Sequence, residues 1–313
     1  MRAVPHGQQR PDRRAIAVVV VLTVLGAAAF AAEAPRELVV RCDDVGMCHA
    51  VNAAVRRVIA TGMPFSASVM FACPWYQEAV AILKQHPDVA VGVHLTLNSE
   101  WEGYRWGPVR GRAAVPSLVD GDGYFLPSEE AFVARAPDIR EVEAELRAQV
   151  ERALSSGLRV DYLDAHMQTA YSKPELRALV EKLARDYRLG ISTYFGERSA
   201  SLWDVPPEQK LSAALKLMRE GAPGLTLLVV HLGLDDAEMT ALVDRNYLQD
   251  PFRVGRHRQA ELDALTSPAF RAAVAASGAA QVTYRQVVAR QGLAAMKAPA
   301  QSSGYSLELT GGR

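Results

Sequence analysis

The sequence predicts an α/β fold, a single irregular parallel β/α barrel of about seven strands. Three observations lead there. Short apolar runs alternate with amphipathic stretches over residues 36–292, the signature of strands joined by helices. Connections of helical length make neighbouring strands parallel, because a tight hairpin has no room for a helix. At 313 residues, with 49% apolar and 22% charged, the chain can bury one large core. A doubly wound open sheet is the alternative, but no glycine-rich phosphate loop follows the first strand and no internal repeat is visible.

The elements follow in order. "ELVVRC" reads as a buried strand, and "HAVNAAVRRVIATG" as a helix with Val51, Val55, Val58 and Ile59 on one face and Gly62 as its stop. "FSASVMFA" is a strand, "PWYQEAVAILKQHP" a helix bracketed by Pro74 and Pro87, and "VAVGVHLTL" a third strand. A polar and aromatic excursion from Asn98 to about Pro127 is too long for a plain connection. The alternation resumes with "DIREVEAELRAQVERALSSG" (helix), "RVDYLDAH" (strand), "SKPELRALVEKLARDY" (helix) and "LGISTYF" (strand). Ser172 and Glu175 have capping-box spacing at the start of the second of these helices. A helix at "PEQKLSAALKLMREG", a strand at "LTLLVVHLG", helical stretches from about Asp235 to Ser277 and a last strand at "AQVTY" complete the series.

The ends of the chain differ. Arg10, Arg13 and Arg14 precede an apolar run to about Ala32, with small residues at Ala29 and Ala31. That is the pattern of a secretory signal peptide over residues 1–31, or of an uncleaved N-terminal anchor, and it sets the expectation of an exported, periplasmic or secreted protein. Residues 296–313 are rich in Ala, Ser and Gly and are expected to be disordered. Thirty-five basic residues balance thirty-five acidic ones, so no basic field argues for nucleic acid or an anionic membrane. Beyond the N-terminal segment no membrane partner is expected, and a small, neutral substrate is. Cys42, Cys48 and Cys73 are too few for a disulfide framework.

Polar residues break the apolar runs at one kind of place. Asp43 and Asp44 end the first strand, His94 the third, Asp164 and His166 the next, and His231 ends "LLVVHLG". In parallel β/α folds the C-terminal strand ends form the ligand-binding face, so these residues converge. One carboxylate and two imidazoles can hold a divalent cation facially, which assigns Asp44, His94 and His166 as ligands. Asp43 is then placed to take a proton from water and His231 to give one to a leaving group. Asp164 can orient a ligand imidazole. Side by side, Asp43 and Asp44 diverge if the strand pleat alternates, and a cation between them relieves their repulsion. Trp101, Tyr104 and Trp106 directly follow the third strand, as a stacking platform for a sugar ring or as a lid that buries its own aromatics. The same ligand triad also suits a non-haem iron oxygenase, and the scaffold alone could serve a non-catalytic exported sugar-binding protein.

"CDDVG", "VGVHLTL", "DAH" and "HLGLDD", in this order and with "RQAELDALTSP" near the end, resemble the YdjC-like carbohydrate deacetylases, the family of chitooligosaccharide and hopanoid-pathway deacetylases. The resemblance runs from Leu38 to Val288. It implies an irregular, TIM-barrel-like fold that removes acetyl groups from N-acetylated sugars with a divalent metal, magnesium or zinc. It also implies Asp43 as catalytic base, Asp44, His94 and His166 as metal ligands, and His231 as the late catalytic histidine. The sequence departs from the family where Met167, Gln168 and Thr169 follow "DAH", and where Leu232 follows His231 in place of Pro.

Overall fold

The structure is a computed structural model that describes residues 34–299, together with residues 1 and 3. The readings of residues 1–31 and most of 296–313 therefore fall outside the described residues. Ten strands are formed among the described residues: β1 (Arg36–Val45), β2 (Ser66–Val69), β3 (Ala90–Leu95), β4 (Trp101–Glu102), β5 (Val160–Ala165), β6 (Gly190–Ile191), β7 (Arg198–Ser201), β8 (Gly224–His231), β9 (Val243–Asp244) and β10 (Ala280–Gln281). Eight of them make one sheet in the order β6-β5-β3-β2-β1-β8-β7, with β10 also on β1, and every pairing in it is parallel. The expected α/β architecture is what forms, as a curled parallel sheet with helices around it. The seven strands read from the sequence are all present, and Arg198–Ser201 is an eighth that its short, polar "RSAS" did not signal.

The helices between the strands are α1 (His49–Ala60), α2 (Tyr76–Lys84), α3 (Glu129–Arg135), α4 (Ile139–Ser155), α5 (Pro174–Tyr187), α6 (Lys210–Glu220), α7 (Ala237–Thr240), α8 (Val254–Thr266), α9 (Pro268–Ala276) and α10 (Tyr284–Gln291). Their apolar faces bury against the sheet: Val51, Val55 and Val58 of α1 and Val142, Leu146 and Val150 of α4 are almost fully excluded from water. The expected capping box at Ser172 is not formed. Helix α5 starts at Pro174, whose missing N–H suits the first helical position, and the Ser172 hydroxyl donates instead to the Thr169 carbonyl. A capping box does form at Thr283 and Gln286, where α10 begins.

Two features of the sheet set the site. First, β1 pairs with β8 along its length, ending with Asp43 opposite His231, and β3 pairs with β5 so that His94 lies opposite Asp164. Residues read from four strand ends are thus level at one mouth. Second, β1 gains one residue on β2 between Cys42 and Val45, a bulge in which Asp44 takes a left-handed φ of 61°. A non-glycine residue there is held against its preference, and such positions collect at functional sites. Further down the sheet, Gly92 on β3 is bare because the Tyr162 ring lies across it, where a Cβ would come within 2.4 Å of the ring.

Candidate active site

Asp44, His94 and His166 meet at one point. Asp44 Oδ1 lies 3.2 Å from His94 Nε2 and 3.1 Å from His166 Nδ1, and the two ring nitrogens are 3.3 Å apart. Donors bound to one cation at about 2.1 Å stand about 3.0–3.4 Å apart between octahedral and tetrahedral angles, so this triangle fits a single divalent ion. The ring orientations agree. His94 Nδ1 lies 3.0 Å from Asp164 Oδ2 and His166 Nε2 lies 2.9 Å from Glu100 Oε2. A carboxylate can only accept, so each imidazole carries its hydrogen on the outer nitrogen and turns a lone pair inward.

Two lone pairs and a carboxylate facing one another call for positive charge. Burial acts to lower His94 and His166, but Asp164 and Asp43 raise the first to about 10, and Glu100 with Asp44 raises the second to about 9. Burial also acts to raise Asp44, and the Arg258 guanidinium overrides it, together with both imidazoles, and holds the carboxyl well below its usual range. Without a cation the triangle therefore keeps at least one proton. Both rings lie above the ordinary imidazole value of 6.5, so their protonation stabilises the fold below that pH, and the contribution is lost as pH rises through 9 to 10. Cation binding at pH 7–8 is expected to release at least one proton, seen by titration calorimetry in buffers of different ionisation enthalpy. Saturating cation should also abolish the decline in Tm between pH 7 and 10; proton-neutral binding would contradict this electrostatic picture.

The adjacent aspartates have separate partners. Arg41 grips Asp43 through Nε and Nη2 at 2.7 and 2.6 Å, and the same Nε lies 3.1 Å from Asp164. Arg258 on α8 holds Asp44 Oδ2 at 2.6 Å. Two fully buried guanidiniums thus relieve the like-charge pair, a task the sequence reading gave to a cation alone. The strand pleat is not what separates the two side chains either: the bulge at Asp44 does that. Asp164 orients His94 from the neighbouring strand, and Glu100, which the sequence reading passed over, does the same for His166.

His231 stands half-buried at the end of β8 with its ring against Trp203, 5.2 Å between centroids. Its Nδ1 has no hydrogen-bond partner among the described residues. Burial pushes it down to about 4, against the opposing pull of Asp44 and Asp43. Asp43, Asp44, His94, His166, Glu100, Arg258 and His231 open onto a cleft of about 400 Å³ lined also by Trp101, Met167, Gln168, Trp203, Tyr247 and Arg253, while Arg41 and Asp164 stand behind it. Met167 and Gln168 follow His166 in consecutive left-handed conformations, φ 50° and 60°, which turn the chain sharply across the cleft wall.

The aromatic trio divides. Trp101 lines the cleft, buried to 2% exposure, with its indole N–H on Met47 Sδ. Tyr104 binds the Met47 carbonyl, and Trp106 donates to the Asn98 carbonyl with its ring edge on His166. Both stand outside the cleft lining and pack the loop beneath it. Trp203 and Tyr247, from segments with no motif around them, join Trp101 in lining the cleft. Cys42, Cys48 and Cys73 are free and buried, and Leu232 is a core residue.

Comparison with known proteins agrees in scope. A family model described as "YdjC-like protein" matches residues 37–276. A protein of Geobacillus stearothermophilus named carbohydrate deacetylase is 31% identical over 262 residues, covering 80% of this chain and 98% of the relative. One of Thermus thermophilus with the same name is 33% identical, over 67% of this chain and 82% of the relative. One of Brevibacillus brevis is 33% identical over 155 residues, 50% of this chain and 58% of the relative. Among solved structures, a protein of Enterococcus faecalis described for cellobiose-phosphate cleavage superposes with a TM-score of 0.66 at 23% identity, over 81% of this chain and 99% of that one. That likeness concerns the fold.

Proposed function

The chain belongs to the YdjC-like family, and from that membership and the geometry of its cleft we propose that it is a carbohydrate deacetylase, a hydrolase that removes acetyl groups from N-acetylated sugars or oligosaccharides with the help of a divalent cation. The observation that carries the reading is the convergence of one cation-sized donor triangle with Asp43 and His231 in a single cleft. A bound cation would polarise the amide carbonyl and make water more acidic. Asp44, His94 and His166 would hold it, each oriented from behind by Arg258, Asp164 and Glu100. The relatives' shared name supports a sugar substrate.

Asp43, both oxygens fixed by Arg41, takes the proton of the attacking water as the new carbon–oxygen bond forms. His231 delivers a proton to the nitrogen as the carbon–nitrogen bond breaks. It rests unprotonated, and low basicity makes it a strong donor once charged. For the reaction to balance, the proton that His231 delivers is matched by the one that Asp43 takes from water; the two residues are register partners across β1 and β8 and line the same cleft. A cation held by Asp44, His94 and His166 would also offset negative charge developing on the carbonyl oxygen. Two imidazole ligands suit zinc or another transition metal, and magnesium stays in the screen because one carboxylate and open positions suit it too. The basic and apolar N-terminal segment supports an exported setting. Among the described residues, no helix is long and apolar enough to cross a membrane.

The test is acetate release from N-acetylated mono- and oligosaccharides, before and after chelation and after add-back of zinc, magnesium or iron. Release that disappears on chelation and returns with one cation is the expected result. Iron-dependent oxygen consumption without acetate would move the triad to the oxygenases, and sugar binding without either reaction would make the protein a binding module.

A further inference from the structure

One ion pair lies outside the donor triangle and yet ends on the cleft. Lys210, the first residue of α6, and Glu261 on α8 are both fully buried, Nζ to Oε1 2.7 Å. The remaining Lys210 hydrogen bonds are to the carbonyls of Leu202, 2.8 Å, and Trp203, 3.3 Å, and Nζ also lies over the Trp203 ring, 5.8 Å from its centroid. Glu261 Oε2 accepts the backbone N–H of His231 at 2.7 Å. Every bond of the pair beyond its own therefore reaches backbone that carries His231 or Trp203, the two rings that face each other across the cleft edge.

A buried ion pair is weak evidence for stability, since removing two charges from water offsets much of their attraction. Burial pushes Lys210 down and Glu261 up, each opposed by the other. An apolar pair would fill the same volume and leave the 202–203 carbonyls and the 231 amide unheld. Helix α8 supplies Arg258 to Asp44 and, three residues on, Glu261 to His231, so the same helix face indexes the donor triangle and the proton donor against each other.

We infer that Lys210 and Glu261 are positioning residues for deacetylation, fixing His231 and Trp203 relative to the cleft; this rests on the function proposed above. Replacement of Glu261 by Leu is expected to lower kcat about 10- to 100-fold, the penalty of displacing a reacting group by about 1 Å, with a smaller change in KM. Cation affinity, measured by calorimetry, should stay within about twofold, because the triangle is held by other residues. The double variant Lys210→Met/Glu261→Leu removes both charges together, and is expected to regain stability without regaining kcat. It also carries the test if the single variant does not fold. Recovery of kcat along with stability in the double variant, or parallel loss of cation binding, would overturn the inference. If the wild-type protein releases no acetate, the reading above fails separately. The pair is then judged by the His231 ring resonances, assigned with His231→Asn: they should shift or multiply in the double variant, and unchanged resonances would overturn the positioning role.

Discussion

Replacing Asp44 with Asn is expected to weaken divalent-cation affinity by about 100-fold or more, beyond the effect of altering a group behind a ligand, and to bring acetate release down to background. The substitution is chosen for the backbone. Asp44 sits in the left-handed region at φ 61°, which Asn tolerates at least as well as Asp, so the bulge in β1 should survive. What changes is charge. The buried Arg258 loses the carboxylate that its Nη2 binds at 2.6 Å, and an unpaired buried charge destabilises a fold by about 3–5 kcal/mol. A lower Tm, a lost cation isotherm and a lost activity should therefore appear together, and the Tm loss should persist in chelator, where the wild-type protein also lacks its cation. Unaltered cation affinity in Asp44→Asn would remove this residue from the ligand set and leave the triangle without its carboxylate.

That prediction also marks what could be read from the chain alone. The triangle was legible because parallel β/α folds gather their strand ends, and Asp44, His94 and His166 each interrupt an apolar run at its C-terminal end. The supporting groups were not, for physical reasons. Arg41 sits inside a strand, two residues before Asp43, where an apolar pattern makes it look like an outward-facing exception. It is in fact 1% exposed, turned along the strand to clamp Asp43 and Asp164. Arg258 and Glu261 lie in "GRHRQAELDAL", whose charges suggest a solvated helix, and only the tertiary placement of α8 under the mouth reveals their targets. Glu100 lies in the long excursion after β3, where periodicity gives no information. A signal existed for Asp164: the register that pairs His94 with it is the ordinary consequence of two parallel strands ending level. The β4–β9 pairing of Trp101–Glu102 with Val243–Asp244, which ties that excursion to the segment before α8, had none, since two-residue strands carry no pattern.

Asp43→Asn separates chemistry from binding. Asn keeps the size of the side chain and one acceptor oxygen for Arg41, and Arg41 retains Asp164 at 3.1 Å, so the loss of stability should be smaller than in Asp44→Asn, where Arg258 loses the carboxylate it binds. The Asp44, His94 and His166 donors are untouched, so the cation isotherm should be close to that of the wild type. Turnover should fall by about 100- to 10,000-fold, the usual contribution of a positioned general base, with KM little changed because the sugar meets the same walls. The discriminating measurement is kcat alongside calorimetric cation affinity on one sample. Lost turnover with intact cation binding places Asp43 at the proton-transfer step. Wild-type turnover in Asp43→Asn would mean that water loses its proton elsewhere, and His231, neutral at rest and without a hydrogen-bond partner on Nδ1 among the described residues, would become the base.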